Sequence, residues 1–209
     1  MSSVVVIDYG MGNIRSVAKA LEHVGADEVT VSHDPERILK AERVVLPGVG
    51  ALHACMSELH RLELEEVLGQ CVRDRPFLGI CLGMQALLDS SEEGGRTPGL
   101  GLVPGEVRHF SSRIDDPMLK VPHMGWNRVR QARPHPLWEG IPDESWFYFV
   151  HSYYVAPDDP AVSVGETDYG LTFTSALAKG SAFAVQFHPE KSQQMGLVLL
   201  GNFLRWQGE

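Results

Sequence analysis

Cys81 stands between two glycines, in the stretch "PFLGICLGMQALL" from Pro76 to Leu88. The run is apolar at both ends, extended in character before the cysteine and helical after it. A direct turn from strand to helix lifts its central side chain above the C-terminal edge of a sheet. The backbone is crowded there, and glycine at positions minus two and plus two relieves the crowding. Gly79 and Gly83 hold those positions. The helix that follows adds unpaired N–H groups and the positive end of its dipole, both of which favour a thiolate. A cysteine at its ordinary pKa of about 8.5 is only a few per cent ionised at neutral pH, so a corner that raises this fraction makes a nucleophile. The plain alternative is a buried cysteine acting as a small hydrophobe. Cys55 and Cys71, inside helical stretches, are read that way.

A nucleophilic thiol needs a base. "FAVQFHPEK" sets His188 just after an apolar strand, with Glu190 two residues on. A strand end brings the imidazole to the same sheet edge as the corner, and Glu190 can fix its tautomer and stabilise its charged form. The chemistry also needs donors for a developing oxyanion. The N–H of Leu82 is one. The second is expected from "LPGVG", Leu46 to Gly50, whose glycines let the Gly48–Val49 peptide turn its N–H inward. Taken singly, these segments also read as an ordinary loop and an ordinary strand-to-helix turn. Of the nine histidines, the rest, such as His23, His53 and His60, read as surface or structural positions. No cluster has metal-ligand spacing, and no metal or cofactor is expected.

The elements that must position these groups alternate. Val4–Ile7 is a short apolar run, as in a strand buried on both faces. Ile14, Val17, Leu21 and Val24 recur at helical spacing and Gly25 is a stop. "EVTVS" is a strand, and Asp34-Pro35 an N-cap with proline at the first helical position. "RVVLPGVG" is a strand entering a glycine loop, residues 51–74 are mostly helical, "PFLGI" is a strand and Leu82 to about Asp89 a helix. The second half is strand-rich: "GEVRHF", "WNRVRQ", "SWFYFVHSYYV", "AVSVGET", "LTFTSALA" and "SAFAVQFH". Ser192 is placed to cap a final helix running to about Trp206. The expected fold is one three-layer α/β domain over residues 1–209. Its central sheet is mostly parallel with helices on both faces, and an antiparallel strand region is added in the second half.

With 209 residues, 44% apolar and 22% charged, the chain suits one full core. The formal charge of −9 and the absence of a basic patch argue against a nucleic-acid partner. "MSSVVVIDYG" has no basic region and too short an apolar run for a signal peptide, and no stretch is long enough to span a bilayer. Three cysteines without regular spacing suit free thiols. A cytoplasmic location is expected.

Taken together and in this order, "LPGVG", "GICLGMQ" and "QFHPEK" resemble the class I glutamine amidotransferases. "DYGMGNIRSV", "SEEG", "PHMGWN", "FYFVHSYY" and "HPEKS" narrow the resemblance to the glutaminase subunits serving histidine biosynthesis. The resemblance implies hydrolysis of glutamine to glutamate and ammonia by Cys81, His188 and Glu190, with Gln85, Glu93 and the backbone at Ser152 and Tyr153 holding the substrate. It also implies a heterodimer with a (β/α)8-barrel cyclase/synthase subunit. That partner uses the ammonia to make imidazole glycerol phosphate and an aminoimidazole-carboxamide ribotide. Asn13, Met124, Trp126, Tyr148 and Lys191 are the residues expected to face it. Glutaminase subunits serving pyridoxal phosphate, anthranilate or guanylate synthesis, and a stand-alone cysteine hydrolase on the same fold, are the alternatives.

Overall fold

The computed structural model describes residues 3–114 and 116–208. The first half builds strand and helix in turn: β1 (Ser3–Ile7), α1 (Ile14–His23), β2 (Glu28–Ser32), α2 (Pro35–Lys40), β3 (Arg43–Gly48), α3 (Leu52–Arg61), α4 (Glu65–Asp74), β4 (Phe77–Cys81) and α5 (Leu82–Gln85). Then come β5 (Leu88–Ser91), β6 (Thr97–Pro98), β7 (Val103–His109), β8 (His123–Gln131), β9 (Ser145–His151), β10 (Tyr153–Pro157), β11 (Ser163–Asp168), β12 (Thr172–Lys179), β13 (Ala182–Val185) and α6 (Gln193–Arg205). Asp34 caps α2 as expected, accepting from the Glu36 N–H at 2.9 Å ahead of Pro35.

A parallel block in the order β2-β1-β3-β4-β13 forms the centre, and β13 passes antiparallel to β12 and on through β10 to the rest. Side chains alternate across a strand, and this sorts the core into two layers. Val4 and Val6 face Val17 and Leu21 of α1 and Leu199, Leu200 and Phe203 of α6. Val5 and Ile7 face Ile38 of α2, Leu52 and Leu59 of α3, and Leu68 of α4 with Leu64 just before it. Each fully buried Leu, Ile or Phe of these layers is worth about 1.5–3 kcal/mol. No helix among the described residues is long and apolar enough to cross a membrane.

Three local expectations are corrected. The helix after Cys81 is a single turn, not a run to Asp89, because the chain beyond it turns into β5. The carbonyl of Leu87 accepts from the N–H groups of Leu102 and Val103, and that of Leu88 from Gly101. "SWFYFVHSYYV" is two strands, since β9 pairs with β8 while β10 pairs with β7 and β12, with Ser152 at the break. Ser192 starts α6 but does not cap it. Its hydroxyl donates to the His188 carbonyl at 2.6 Å and accepts from the Tyr148 N–H at 3.0 Å.

Candidate active site

Cys81 ends β4 with φ 55° and ψ −107°, a left-handed backbone that costs a non-glycine residue about 1–3 kcal/mol. The surrounding glycines make the corner possible by close approach, with no positive φ of their own. A Cβ on Gly83 would run into the carbonyl oxygen of Leu46 on the adjacent β3, and one on Gly79 would lie 2.9 Å from the Gly83 oxygen. Gly48 is paired with Cys81 across β3 and β4. A Cβ there would come within 2.5 Å of the Tyr9 hydroxyl and 2.7 Å of Leu82 Cβ. Tyr9, buried, donates to the Pro47 carbonyl at 2.9 Å and so ties down the entry to the glycine loop.

On its other side β4 pairs with β13 in parallel, Ala184 opposite Gly79 and Val185 opposite Ile80. The chain leaving β13 therefore delivers His188 to the edge where Cys81 projects. The His188 N–H donates to the Tyr148 carbonyl at 2.9 Å, and the short turn Pro189–Lys191 folds Glu190 back. Glu190 Oε1 lies 2.8 Å from His188 Nδ1, with both side chains buried. The acceptor carboxylate assigns the proton to Nδ1. Nε2 is buried and forms no conventional hydrogen bond. Burial pulls the His188 pKa down, but the neighbouring Cys81 thiol and the Glu190 carboxylate outweigh it and raise the group to about 9. Asn13 Nδ2 donates to the same Glu190 oxygen at 3.2 Å. Its amide is thus used behind the histidine, although the residue also stands at the start of α1.

Val49, Gly50, Cys81, Leu82, Gln85, Glu93, Ser152, Tyr153 and His188 line one cleft of about 310 Å³, within the size range of small-molecule sites. With Pro122 included, the cleft thus gathers residues from six separate stretches of chain. Glu93 Oε2 accepts from the Leu52 N–H at 2.6 Å. Gln85 is buried, not a surface helix position, and its amide nitrogen donates to the Tyr153 carbonyl at 3.1 Å and to Gln186 Oε1 at 3.0 Å. The Tyr153 carbonyl also meets His151 Nδ1 at 2.7 Å, so both its lone pairs serve the protein and it is not free for a substrate. The Ser152 carbonyl accepts from the Phe110 N–H at 3.1 Å.

Several of these residues were not singled out from sequence. Gln186 is wholly buried and its Nε2 lies 3.6 Å from Cys81 Sγ. His151 lines the cleft, and His123 Nδ1 lies 2.9 Å from its Nε2. Neither histidine is a surface position. A polar residue inside an apolar strand run ("FAVQFH", "FYFVHSYY") is the signal that points to Gln186 and His151. Cys55 and Cys71 are buried free thiols, as read, and burial pushes Cys55 up to about 11. Of the residues expected to face a partner, Met124 and Trp126 are exposed on β8. Trp126 pairs with Tyr148 of β9, and Lys191 Nζ lies 5.9 Å over the Tyr148 ring. Trp126 is therefore not a core tryptophan, and the exposed Trp146 extends the same surface.

A cysteine at a strained strand–helix corner, with a buried histidine and carboxylate beside the same cleft, has the arrangement that a cysteine nucleophile needs. Residues 5–205 match the family model described as glutamine amidotransferase class-I. The chain is 59% identical to the imidazole glycerol phosphate synthase subunit HisH of Nitrosococcus oceani over 100% of this chain and 99% of that one. It is 58% identical to the HisH subunit of Methylococcus capsulatus, over 99% and 98%. Among solved structures it is similar in fold to PurLQS from Thermotoga maritima, with a TM-score of 0.72 at 17% identity, covering 97% of each chain. A glutamine amidotransferase from the same organism gives 0.57 at 18% identity, covering 90% of this chain and 76% of that one. The chain belongs to the class I glutamine amidotransferases, and within them to the HisH subunits of imidazole glycerol phosphate synthase.

Proposed function

We propose that Cys81, His188 and Glu190 carry the glutaminase reaction of this HisH subunit, and that the ammonia goes to a (β/α)8-barrel synthase partner. The sulfur of Cys81 attacks the side-chain amide carbon of glutamine as a thiolate, its proton held by His188. The negative oxygen that forms is met by the Leu82 N–H and by the Gly48–Val49 peptide. His188 gives its proton to the nitrogen, the C–N bond breaks and ammonia leaves a glutamyl thioester. Water then attacks the thioester as His188 takes its proton, and glutamate departs as the thiol re-forms. Glu190 holds the imidazole in one tautomer and stabilises its charged form. Glu93 suits the substrate's α-ammonium group. The oxygen of the Gln85 amide is its remaining partner for the substrate, since both N–H groups are used within the protein.

The observation that carries this reading is the buried His188–Glu190 pair at one wall of the cleft that Cys81 also lines. The partner surface is supported by the exposed Met124 and Trp126 beside Tyr148 and Lys191, an apolar and aromatic patch of the kind that anchors interfaces. In the barrel subunit the ammonia would combine with a phosphoribulosyl aminoimidazole-carboxamide nucleotide, giving imidazole glycerol phosphate and aminoimidazole-carboxamide ribotide. Free thiols suit the reducing cytoplasm. The test is a glutaminase assay with and without the barrel partner loaded with nucleotide. Turnover should rise on loading and vanish in Cys81→Ala. Equal rates with and without partner would remove the coupling, and turnover surviving in Cys81→Ala would remove the nucleophile.

A further inference from the structure

We infer that Gln186 is a positioning residue for the nucleophile: its side-chain amide donates to the Cys81 sulfur, and the direction of that amide is dictated from the Tyr153 carbonyl through Gln85. The inference rests on Cys81 being the nucleophile, as above.

The orientation follows from donor and acceptor counting. A carbonyl oxygen only accepts, so the Gln85 group 3.1 Å from the Tyr153 oxygen must be its NH2. The second N–H of that nitrogen points at Gln186 at 3.0 Å, so the Gln186 atom there must be its oxygen. The Gln186 nitrogen is thereby turned toward Cys81 Sγ, 3.6 Å away. Gln186 is wholly buried, and its own N–H is pinned to the Ser175 carbonyl of β12 at 2.9 Å. It lies one residue past the Val185–Ile80 pair, directly across from Cys81 in the parallel register.

An amide N–H aimed at sulfur stabilises the thiolate more than the thiol, because hydrogen bonds to an ionised acceptor are the stronger ones. The reverse orientation, with the amide oxygen toward sulfur, would repel the same charge. Fixing the amide from a backbone carbonyl removes that reverse state. Gln85 then has two duties, orienting Gln186 with its nitrogen and facing the cleft.

The test uses the complex with the synthase partner and two variants. Gln186→Met keeps the length of the side chain and removes the donor. Gln186→Glu keeps an acceptor for Gln85 but sets a negative oxygen toward sulfur. Alkylation of Cys81 by iodoacetamide, read by mass spectrometry of its peptide, should be about tenfold slower at neutral pH in Gln186→Met and slower still in Gln186→Glu. The rates should converge at alkaline pH, where the donor no longer sets the thiolate fraction at Cys81. Glutaminase kcat should fall about tenfold with KM within about twofold, the split expected of a group that acts on the nucleophile. Buried Cys55 and Cys71 report any loosening, because a merely structural effect would expose them to reagent. Cys81 alkylating at the parent rate in either variant at neutral pH overturns the inference, as does slowing that persists at alkaline pH. Absent glutamine turnover in the parent complex would instead overturn the glutaminase reading, with the alkylation comparison still deciding the role of Gln186.

Discussion

Nδ1 of His188 lies 2.8 Å from Oε1 of Glu190, and both side chains are buried. A buried carboxylate beside an imidazole favours the charged ring, and the Cys81 sulfur acts in the same sense. Burial opposes both and is outweighed, leaving His188 at about 9. Activity should therefore fall on the alkaline side as His188 loses its proton near pH 9.

Replacing Glu190 by Gln removes one of the two influences that raise His188. The alkaline limb of the pH–rate profile should move to lower pH, and kcat should fall about 10²-fold. A profile measured across that limb for parent and variant checks this, and an unmoved limb would contradict the pairing.

The strained corner makes a prediction about stability. Cys81→Gly and Cys81→Ala both lack the nucleophile, but only glycine is at ease at φ 55°. Urea unfolding should find Cys81→Gly more stable than Cys81→Ala by about 1 kcal/mol. Gly83→Ala should behave oppositely. Its methyl group meets the Leu46 carbonyl, which belongs to a central strand and cannot yield cheaply, so a loss of about 3 kcal/mol or more is expected.

Buried histidines should give stability a pH dependence of two signs. Burial lowers His123 and His135 to about 4 each and His151 to about 3, below the ordinary 6.5. The unfolded chain takes up protons at these sites first. Stability should therefore be full above about pH 6.5 and fall toward pH 4, by up to about 1.4 kcal/mol per pH unit for buried His123 and His151 and by less for half-buried His135. His188 is raised, so its contribution is present below 6.5 and lost as pH rises through about 9. Urea midpoints at a series of pH values should trace a maximum between these limits.

Trp126→Ala should weaken binding of the synthase partner by about 30-fold, the effect of losing an aromatic anchor of about 2 kcal/mol. Its indole is exposed on β8 and supports no core, so the isolated chain should melt as the parent does. Calorimetric titration separates the two quantities, and a fall in melting temperature without a change in affinity would place the residue elsewhere.

What the sequence by itself determined was local. Glycines two residues either side of Cys81 mark the corner because a side chain at Gly83 collides with its neighbouring strand. The Asp34-Pro35 cap and the apolar runs of β1, β3 and β4 follow from hydrogen bonding and burial within a few residues of chain, and the parallel centre follows from their alternation with helices. The tertiary structure decided whatever depends on a partner far along the chain. The helix after Cys81 stops at Gln85 because Gly101, Leu102 and Val103 bring N–H groups to Leu87 and Leu88. Ser192 gives up its cap because the Tyr148 N–H and the His188 carbonyl compete for its hydroxyl. Asn13 turns to Glu190, 177 residues away, and Gln186 meets Cys81 across 105 residues, only because β13 pairs beside β4. Periodicity reports which face of an element is apolar. Strand order and register, set by the packing of the whole sheet, choose which polar groups on the remaining positions find one another.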